Sequence, residues 1–225
     1  MTTTPDSRRI APAPFLGRLA RVAACLAALL AGGCGVGSGQ IPDTRFFVID
    51  YRVPAAPQAG QALPVTVGVE SFRSDAVYRT DRIVYRKVPY RVDFYPYERW
   101  GARPDEFVTD RLLDHLEASR RFREVVRASG GAAPDYLVRG RVKRFEEVGS
   151  ANGKFSALAL VEIFLVERRS GKVLLQRQLS HSAEAKSQPP QGFVEAMAES
   201  LRSLLSEATA QIAETIARHN GGARP

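Results

Sequence analysis

Few residues of this sequence have the type and spacing that catalysis requires. The three histidines, His115, His181 and His219, stand outside any His-Glu-x-x-His zinc pattern. Glu146 and Glu147 are adjacent on a predicted strand, so their side chains point to opposite faces, a poor arrangement for a paired acid and base. There is no G-x-S-x-G elbow and no phosphate-binding loop. The sequence therefore predicts a protein that is not an enzyme, with no catalytic residue, no metal site and no cofactor.

A run of aromatic and arginine residues between positions 78 and 100 is the most distinctive feature. Tyrosine, tryptophan and arginine are the residue types favoured at protein interfaces. We predict partner binding through the following residues: Tyr78, Tyr85, Tyr97, Arg99 and Trp100, the last being the only tryptophan. The alternative is that some of these rings belong to the core and that the arginines only solvate the strand edges, and both interpretations can hold for different rings.

The N-terminus has the pattern of a secretory signal that ends in a lipidation site. Arginines precede an apolar run over residues 22–30, which is followed by Ala31-Gly32-Gly33-Cys34. The run is too short to span a bilayer, which takes roughly 20 apolar residues. This stretch resembles the bacterial lipobox, and it predicts cleavage before Cys34 and attachment of lipid to that cysteine. Cys25 is a weaker second candidate, because less apolar sequence precedes it.

Composition limits the partners and the number of domains. Both cysteines lie at or before position 34, so the folded part has no disulfide. The formal net charge is +8, but the basic residues are spread along the chain, which argues against nucleic acid. We expect a signal peptide at 1–33, a flexible tether at 34–43, one domain at 44–219 and a disordered tail at 220–225.

The hydrophobic pattern predicts an α+β fold, with an antiparallel or mixed sheet and two helices packed on one face, in a single domain. Strands are expected at 45–53, 63–72, 82–86, 90–95, 122–126, 136–148, 155–166 and 172–181, with a bulge near Arg144. One helix opens at Pro104. The other runs from Gln191 to about Arg218, and its apolar stripe is typical of a core-facing helix, with a partner-binding or membrane-lying helix as the alternative.

The segment from 78 to 104 resembles the ABC-type transport auxiliary lipoproteins, the family of the paraquat-inducible protein C lipoproteins. It contains an Arg-Ile-Val-Tyr strand at 82–85, a tyrosine-rich strand and Arg99-Trp100 before a helix. The phrase at 116–125, Leu-Glu-Ala-Ser-Arg-Arg-Phe-Arg-Glu-Val, and the strand that starts at Asp135 also match. The resemblance covers roughly residues 44–217. Gly101 departs from the alanine that usually follows the tryptophan in this family.

The resemblance implies a non-catalytic, periplasm-facing component that accompanies an ABC ATPase, a permease and an MCE-domain substrate-binding protein. Such systems move lipids or other apolar molecules between membranes. Gly35 is not an aspartate, so under the usual Gram-negative sorting rule the outer membrane is the expected location. Homo-oligomerisation stays open. The second hypothesis is a structural lipoprotein of envelope or outer-membrane assembly, and the third is a secreted hydrolase.

Overall fold

A computed structural model describes residues 42–54, 62–129, 133–149 and 154–222. The part from Asp43 onward forms one compact unit that combines a curled mixed sheet with two helices. The predicted α+β class is therefore confirmed. The predicted signal peptide, Cys34 and nearly all of the predicted tether lie outside the described residues.

Nine strands are present in the described ranges. They are β1 (Arg45–Phe47), β2 (Leu63–Val69), β3 (Arg73–Ser74), β4 (Arg82–Val88), β5 (Arg91–Trp100), β6 (Phe122–Arg127), β7 (Tyr136–Gly149), β8 (Phe155–Glu167) and β9 (Val173–Glu184). A short 3-10 helix (Ala76–Tyr78) precedes β4, and two α-helices, α1 (Pro104–Ala118) and α2 (Gln191–Gly222), complete the fold.

The long strand β7 organises the sheet. Along one edge it pairs antiparallel with β8, which pairs antiparallel with β9. Along its other edge it pairs in turn with three parallel strands, β2, β3 and β4. β2 continues to β6, and β4 continues through the antiparallel β5 to β1, which lies parallel to β5. The pairing register of β7 and β8 shifts between Val142 and Arg144, where the sequence predicts a bulge.

Both helices pack on the same face of the sheet. Proline occupies the first turn of α1, and the Glu106 side chain accepts a hydrogen bond from the Arg103 backbone N–H at 2.9 Å, which caps the helix. The α2 stripe faces the core, as expected, with the following residues at most 1% exposed: Phe193, Met197, Leu201, Leu204, Ala208, Ile212 and Ile216. Because Trp100 contacts a ring from each helix, α1 and α2 lie on one face.

Several element boundaries differ from the predictions, and β5 continues to Trp100, past its predicted end at residue 95. β1 ends at Phe47, opposite Trp100 at the end of β5, and the Gly101 N–H donates to the Phe47 carbonyl at 2.7 Å. β2 ends at Val69, three residues early. α2 continues to Gly222, past the predicted end and through 220–222 of the predicted disordered tail. The Tyr136 hydroxyl donates to the Asn220 side chain at 2.7 Å, which ties this last turn to the sheet.

Candidate functional site

The structure places the five predicted binding residues in two different environments. Tyr85 lies on β4, Tyr97 and Arg99 lie on β5, and all three are half-buried. Tyr78 and Trp100 are 4% and 1% exposed. The core interpretation therefore holds for these last two rings, while the interface interpretation stays a prediction for the other three.

Trp100 is at the centre of the core. Its ring meets Phe107 of α1, Phe145 of β7 and Phe193 of α2 at centroid distances of 5.9, 5.5 and 5.7 Å. Its backbone N–H donates to the carbonyl of Asp81 at 2.6 Å, which fixes the start of β4 against the end of β5. One side chain thus joins two helices and the sheet, and it positions the surface residues that precede it.

Tyr78 contributes to a buried polar cluster around Glu146, which is fully buried. The tyrosine hydroxyl donates to Glu146 Oε2 at 2.6 Å, and Arg86 donates from Nε to Oε1 at 3.1 Å. Arg144 Nε donates to the same Oε1 at 2.7 Å. Burial and the Glu146 carboxylate raise the pKa of Tyr78 to about 12. Burial opposes ionisation of Glu146, but the hydrogen bonds from Arg86, Tyr78 and Arg144 outweigh it, so the pKa of this carboxyl is lowered.

Glu147, the next residue, faces the other side of β7 and is 2% exposed. It accepts a hydrogen bond from the Tyr95 hydroxyl at 2.8 Å. Desolvation raises the pKa of Glu147, and the Tyr95 hydroxyl and the Lys87 charge only partly offset it. Tyr85 packs edge-on against Tyr95 at 5.0 Å, and the Lys87 ammonium lies 5.2 Å from the Tyr85 ring centre. Glu146 and Glu147 therefore have separate structural partners and do not form an acid–base pair.

An exposed patch lies at the sheet edge that β1 and β5 form. Phe46 pairs with Arg99 in register and is 66% exposed, and Val48, just after β1, is 61% exposed. Tyr97 and Arg99 share one side of β5, since alternate residues of a strand point the same way. Arg99 Nη1 also contacts Asp81 at 3.2 Å. We call this set, Phe46, Val48, Tyr97 and Arg99, the edge patch.

Phe46 is a surface residue that the sequence analysis did not single out. The sequence does indicate an exposed ring here, because Phe46 and Phe47 are adjacent and side chains alternate between the two faces of a strand. Only one of the two rings can pack against the helices, and Phe47 is the one that packs on the core. The other aromatic ring is then left on the outer side of an edge strand.

The histidines are distributed over three places. The His115 Nε2 lies 3.1 Å from the Tyr51 hydroxyl, His181 lies 3.2 Å from Glu207, and His219 lies 3.1 Å from Glu167. Within the described ranges, no cluster of three or more histidine, cysteine, aspartate or glutamate residues is suited to a metal ion. None of the helices described is both long and apolar enough to cross a membrane.

Comparison with known proteins gives one family and a set of similar folds. The model of the ABC-type transport auxiliary lipoprotein component matches residues 47–217. A crystal structure from Xanthomonas campestris, of a protein assigned to the family DUF330, is similar with a TM-score of 0.72 and 18% identity, and the alignment covers 79% of this chain and 99% of that one. A second structure, of an uncharacterized protein, is similar with a TM-score of 0.56 and 15% identity, over 77% and 99%. No curated protein matches the chain.

Proposed function

The chain belongs to the ABC-type transport auxiliary lipoprotein family, and from that membership we propose that it is a non-catalytic docking component of an MCE-associated system that moves lipids between membranes. Lipid on Cys34 holds it at the outer membrane, facing the periplasm. Its partners are an MCE-domain substrate-binding protein and the complex of ABC permease and ATPase. The observation that carries this proposal is the family match over residues 47–217, which takes in every described element from the end of β1 to most of α2.

The chemistry of the buried polar groups supports a structural role for them. Glu146 is held by two arginines and a tyrosine, and Glu147 by a different tyrosine. A general base needs a free lone pair that faces the substrate. Both carboxylates instead accept hydrogen bonds from side chains of β4, β5, β7 and the 3-10 helix before β4, so they link these elements to one another.

The edge patch is the docking surface in this proposal. It combines two exposed apolar side chains, Phe46 and Val48, with a tyrosine and an arginine, which is the composition of an interface centre. Tyr85 adds a half-buried ring further along the same hairpin. Tyr78 and Trp100 are buried and support this surface indirectly, since they hold the hairpin against the core.

The docking role is tested by a pull-down of the tagged, lipidated protein in mild detergent, with mass spectrometry of the proteins recovered. We compare wild type with Phe46→Ser/Tyr97→Ala. The matched control is Val173→Ser, which changes a side chain 45% exposed at the start of β9. An MCE-domain protein should accompany wild type and Val173→Ser and be lost from the double variant. Recovery of only barrel-assembly or Tol-type partners would move the function to envelope assembly.

The anchor and the membrane are tested separately. Mass spectrometry of the N-terminal peptide should show a diacylglyceryl group on Cys34, and Cys34→Ala should remain unprocessed. On a density gradient the wild type should separate with the outer membrane. Gly35→Asp should shift it to the inner membrane, if the residue after the lipidated cysteine decides the sorting. An unmodified Cys34 in the mature protein would contradict the anchoring.

A further inference from the structure

The tip of the β4–β5 hairpin exposes an aromatic ring in a strained backbone conformation. Tyr90 is 103% exposed and has a φ of 64°. A non-glycine residue in this left-handed region costs roughly 1–2 kcal/mol, and glycine or asparagine is the usual choice at such a turn position. Neither packing nor turn geometry therefore explains a tyrosine here. The ring is instead fully available to a surface outside the chain.

The neighbours of Tyr90 give the tip an amphipathic character. Val88 is 45% exposed and Pro89 is also exposed. Lys87 and Arg91 flank these three residues, and the Arg91 side chain is 66% exposed beside Asp93, at 3.1 Å. Tyrosine and apolar side chains between cations are suited to the headgroup region of a bilayer, where rings sit at the interface and cations meet phosphates.

The direction of the chain brings the anchor to the same end of the molecule. β1 is parallel to β5, with Arg45 opposite Glu98, so the chain before Arg45 comes from the Arg91 end of β5. The distance along the strand from Glu98 to Arg91 is at most about 23 Å at roughly 3.3 Å per residue, because β5 is irregular in this stretch. The segment from Cys34 to Asp43 spans at most about 35 Å when extended. A lipid on Cys34 can therefore hold a bilayer at the hairpin tip.

We propose that the tip, Lys87–Arg91, contacts the bilayer to which the protein is anchored. Tyr90 and Val88 enter the headgroup region, and Lys87 and Arg91 bind the phosphates of anionic lipids. With the lipid, this gives two points of attachment, which orients the domain and directs the opposite end of the sheet away from the membrane. The proposal rests on the lipidation of Cys34 that is part of the proposed function.

The opposite end supplies a matched control. The turn between β8 and β9 also carries cations, Arg168, Arg169 and Lys172, next to Val173, which like Val88 is 45% exposed. Because β4 runs parallel to β7 while β8 runs antiparallel to it, this turn and the hairpin tip lie at opposite ends of the sheet. The two valines therefore have equal exposure and cationic neighbours but lie at opposite ends of the sheet.

Both native cysteines lie at or before position 34, so Val88→Cys or Val173→Cys provides a single free thiol in the mature lipidated protein. Each variant is labelled with an environment-sensitive fluorophore and reconstituted in vesicles of phosphatidylcholine with phosphatidylglycerol. Flotation of the vesicles establishes anchoring. We expect a blue-shifted emission at position 88 and quenching by headgroup-labelled lipid several-fold greater than at position 173. In the Val88→Cys protein, Tyr90→Gly should reduce the quenching while the protein becomes more stable.

Water-like emission at position 88 on floating vesicles would overturn the contact and leave the anchor intact. Equal quenching at both positions would overturn the orientation. Shielding of position 88 only after another protein is added would assign the tip to a protein partner and overturn the membrane contact. Failure to float would overturn the anchoring itself, and with it the placement of the bilayer at the hairpin tip.

Discussion

Glu146 and Glu147 are consecutive residues of β7, both almost fully buried, and the pKa values of their carboxyls are shifted in opposite directions. The cause is the alternation of the strand. Glu146 accepts hydrogen bonds from two arginines and a tyrosine. Glu147 accepts one from a tyrosine hydroxyl and is buried away from water. The same residue type at adjacent positions should therefore contribute to stability with opposite dependence on pH.

Glu146→Gln should lower the free energy of unfolding at pH 7 by about 1–3 kcal/mol, because a charge-assisted cluster loses its anion. The folded-state pKa of Glu146 is below its usual 4.5, so the stabilisation is present above that pH and is lost as pH falls through the folded pKa. Urea unfolding of both proteins between pH 3 and pH 7 measures this. A stability difference that stays constant over the whole range would contradict it.

Glu147→Gln should have the opposite effect. The pKa of Glu147 is raised in the folded protein, so the native state binds more protons, and wild-type stability falls as pH rises from 4.5 through the folded pKa. The glutamine cannot ionise, and its oxygen still accepts from Tyr95. The variant should therefore be more stable than wild type at pH 8 and similar to it at low pH in urea titrations. Tyr95→Phe is the control, since removing the hydroxyl that donates to Glu147 should destabilise most at high pH.

His115 should make the fold sensitive to mild acid. Its side chain is 4% exposed, and burial, with nearby arginines, lowers the pKa of the ring from 6.5 to about 4. The unfolded chain therefore takes up a proton between pH 6.5 and pH 4 and the folded protein does not, so stability falls as pH falls through that window. Thermal unfolding of wild type and His115→Gln checks this. The slope of the melting temperature against pH between 4 and 6.5 should be smaller for the variant.

Trp100→Ala should lower the free energy of unfolding by about 3–5 kcal/mol, because it removes a ring that touches both helices and β7. Tyr97→Ala, three residues earlier but half-buried at the edge patch, should cost less than about 1 kcal/mol. Circular dichroism during guanidinium unfolding follows both variants. Equal losses of unfolding free energy in the two variants would mean that Tyr97 belongs to the core and not to the edge patch.

The sequence was sufficient for features that depend on local periodicity or turn chemistry. The proline at the start of α1, the stripe of α2 and the bulge beside Arg144 follow from spacing alone. Features that depend on contacts distant in sequence were not accessible. The parallel pairing of β1 with β5 joins segments 53 residues apart at Arg45 and Glu98.

The candidate site shows the same limit. Trp100 in the core and Tyr97 at the surface cannot be separated by residue type, because aromatic rings serve both cores and interfaces. Trp100 is central because residues from α1, β7 and α2 converge on it, and their convergence is a tertiary property. Glu146 and Glu147 are charged, and charge normally predicts exposure. Their burial depends largely on partners distant in sequence, Tyr78, Arg86 and Tyr95.

Gly140 of β7 should be intolerant of any side chain. A Cβ at this position would lie 2.3 Å from the Glu162 carbonyl oxygen and 2.4 Å from Phe72 Cε1. Phe72 is 3% exposed and the carbonyl belongs to β8, so neither neighbour can retreat without opening the sheet or the core. Gly140→Ala should therefore lower the free energy of unfolding by about 1–3 kcal/mol.

Gly221→Ala is the matched control, because a Cβ there meets nothing within 4 Å and alanine favours the helix. Urea unfolding should show Gly140→Ala destabilised and Gly221→Ala unchanged or slightly more stable. A Gly140→Ala protein as stable as wild type would mean that neither Phe72 nor the Glu162 carbonyl lies this close to Gly140.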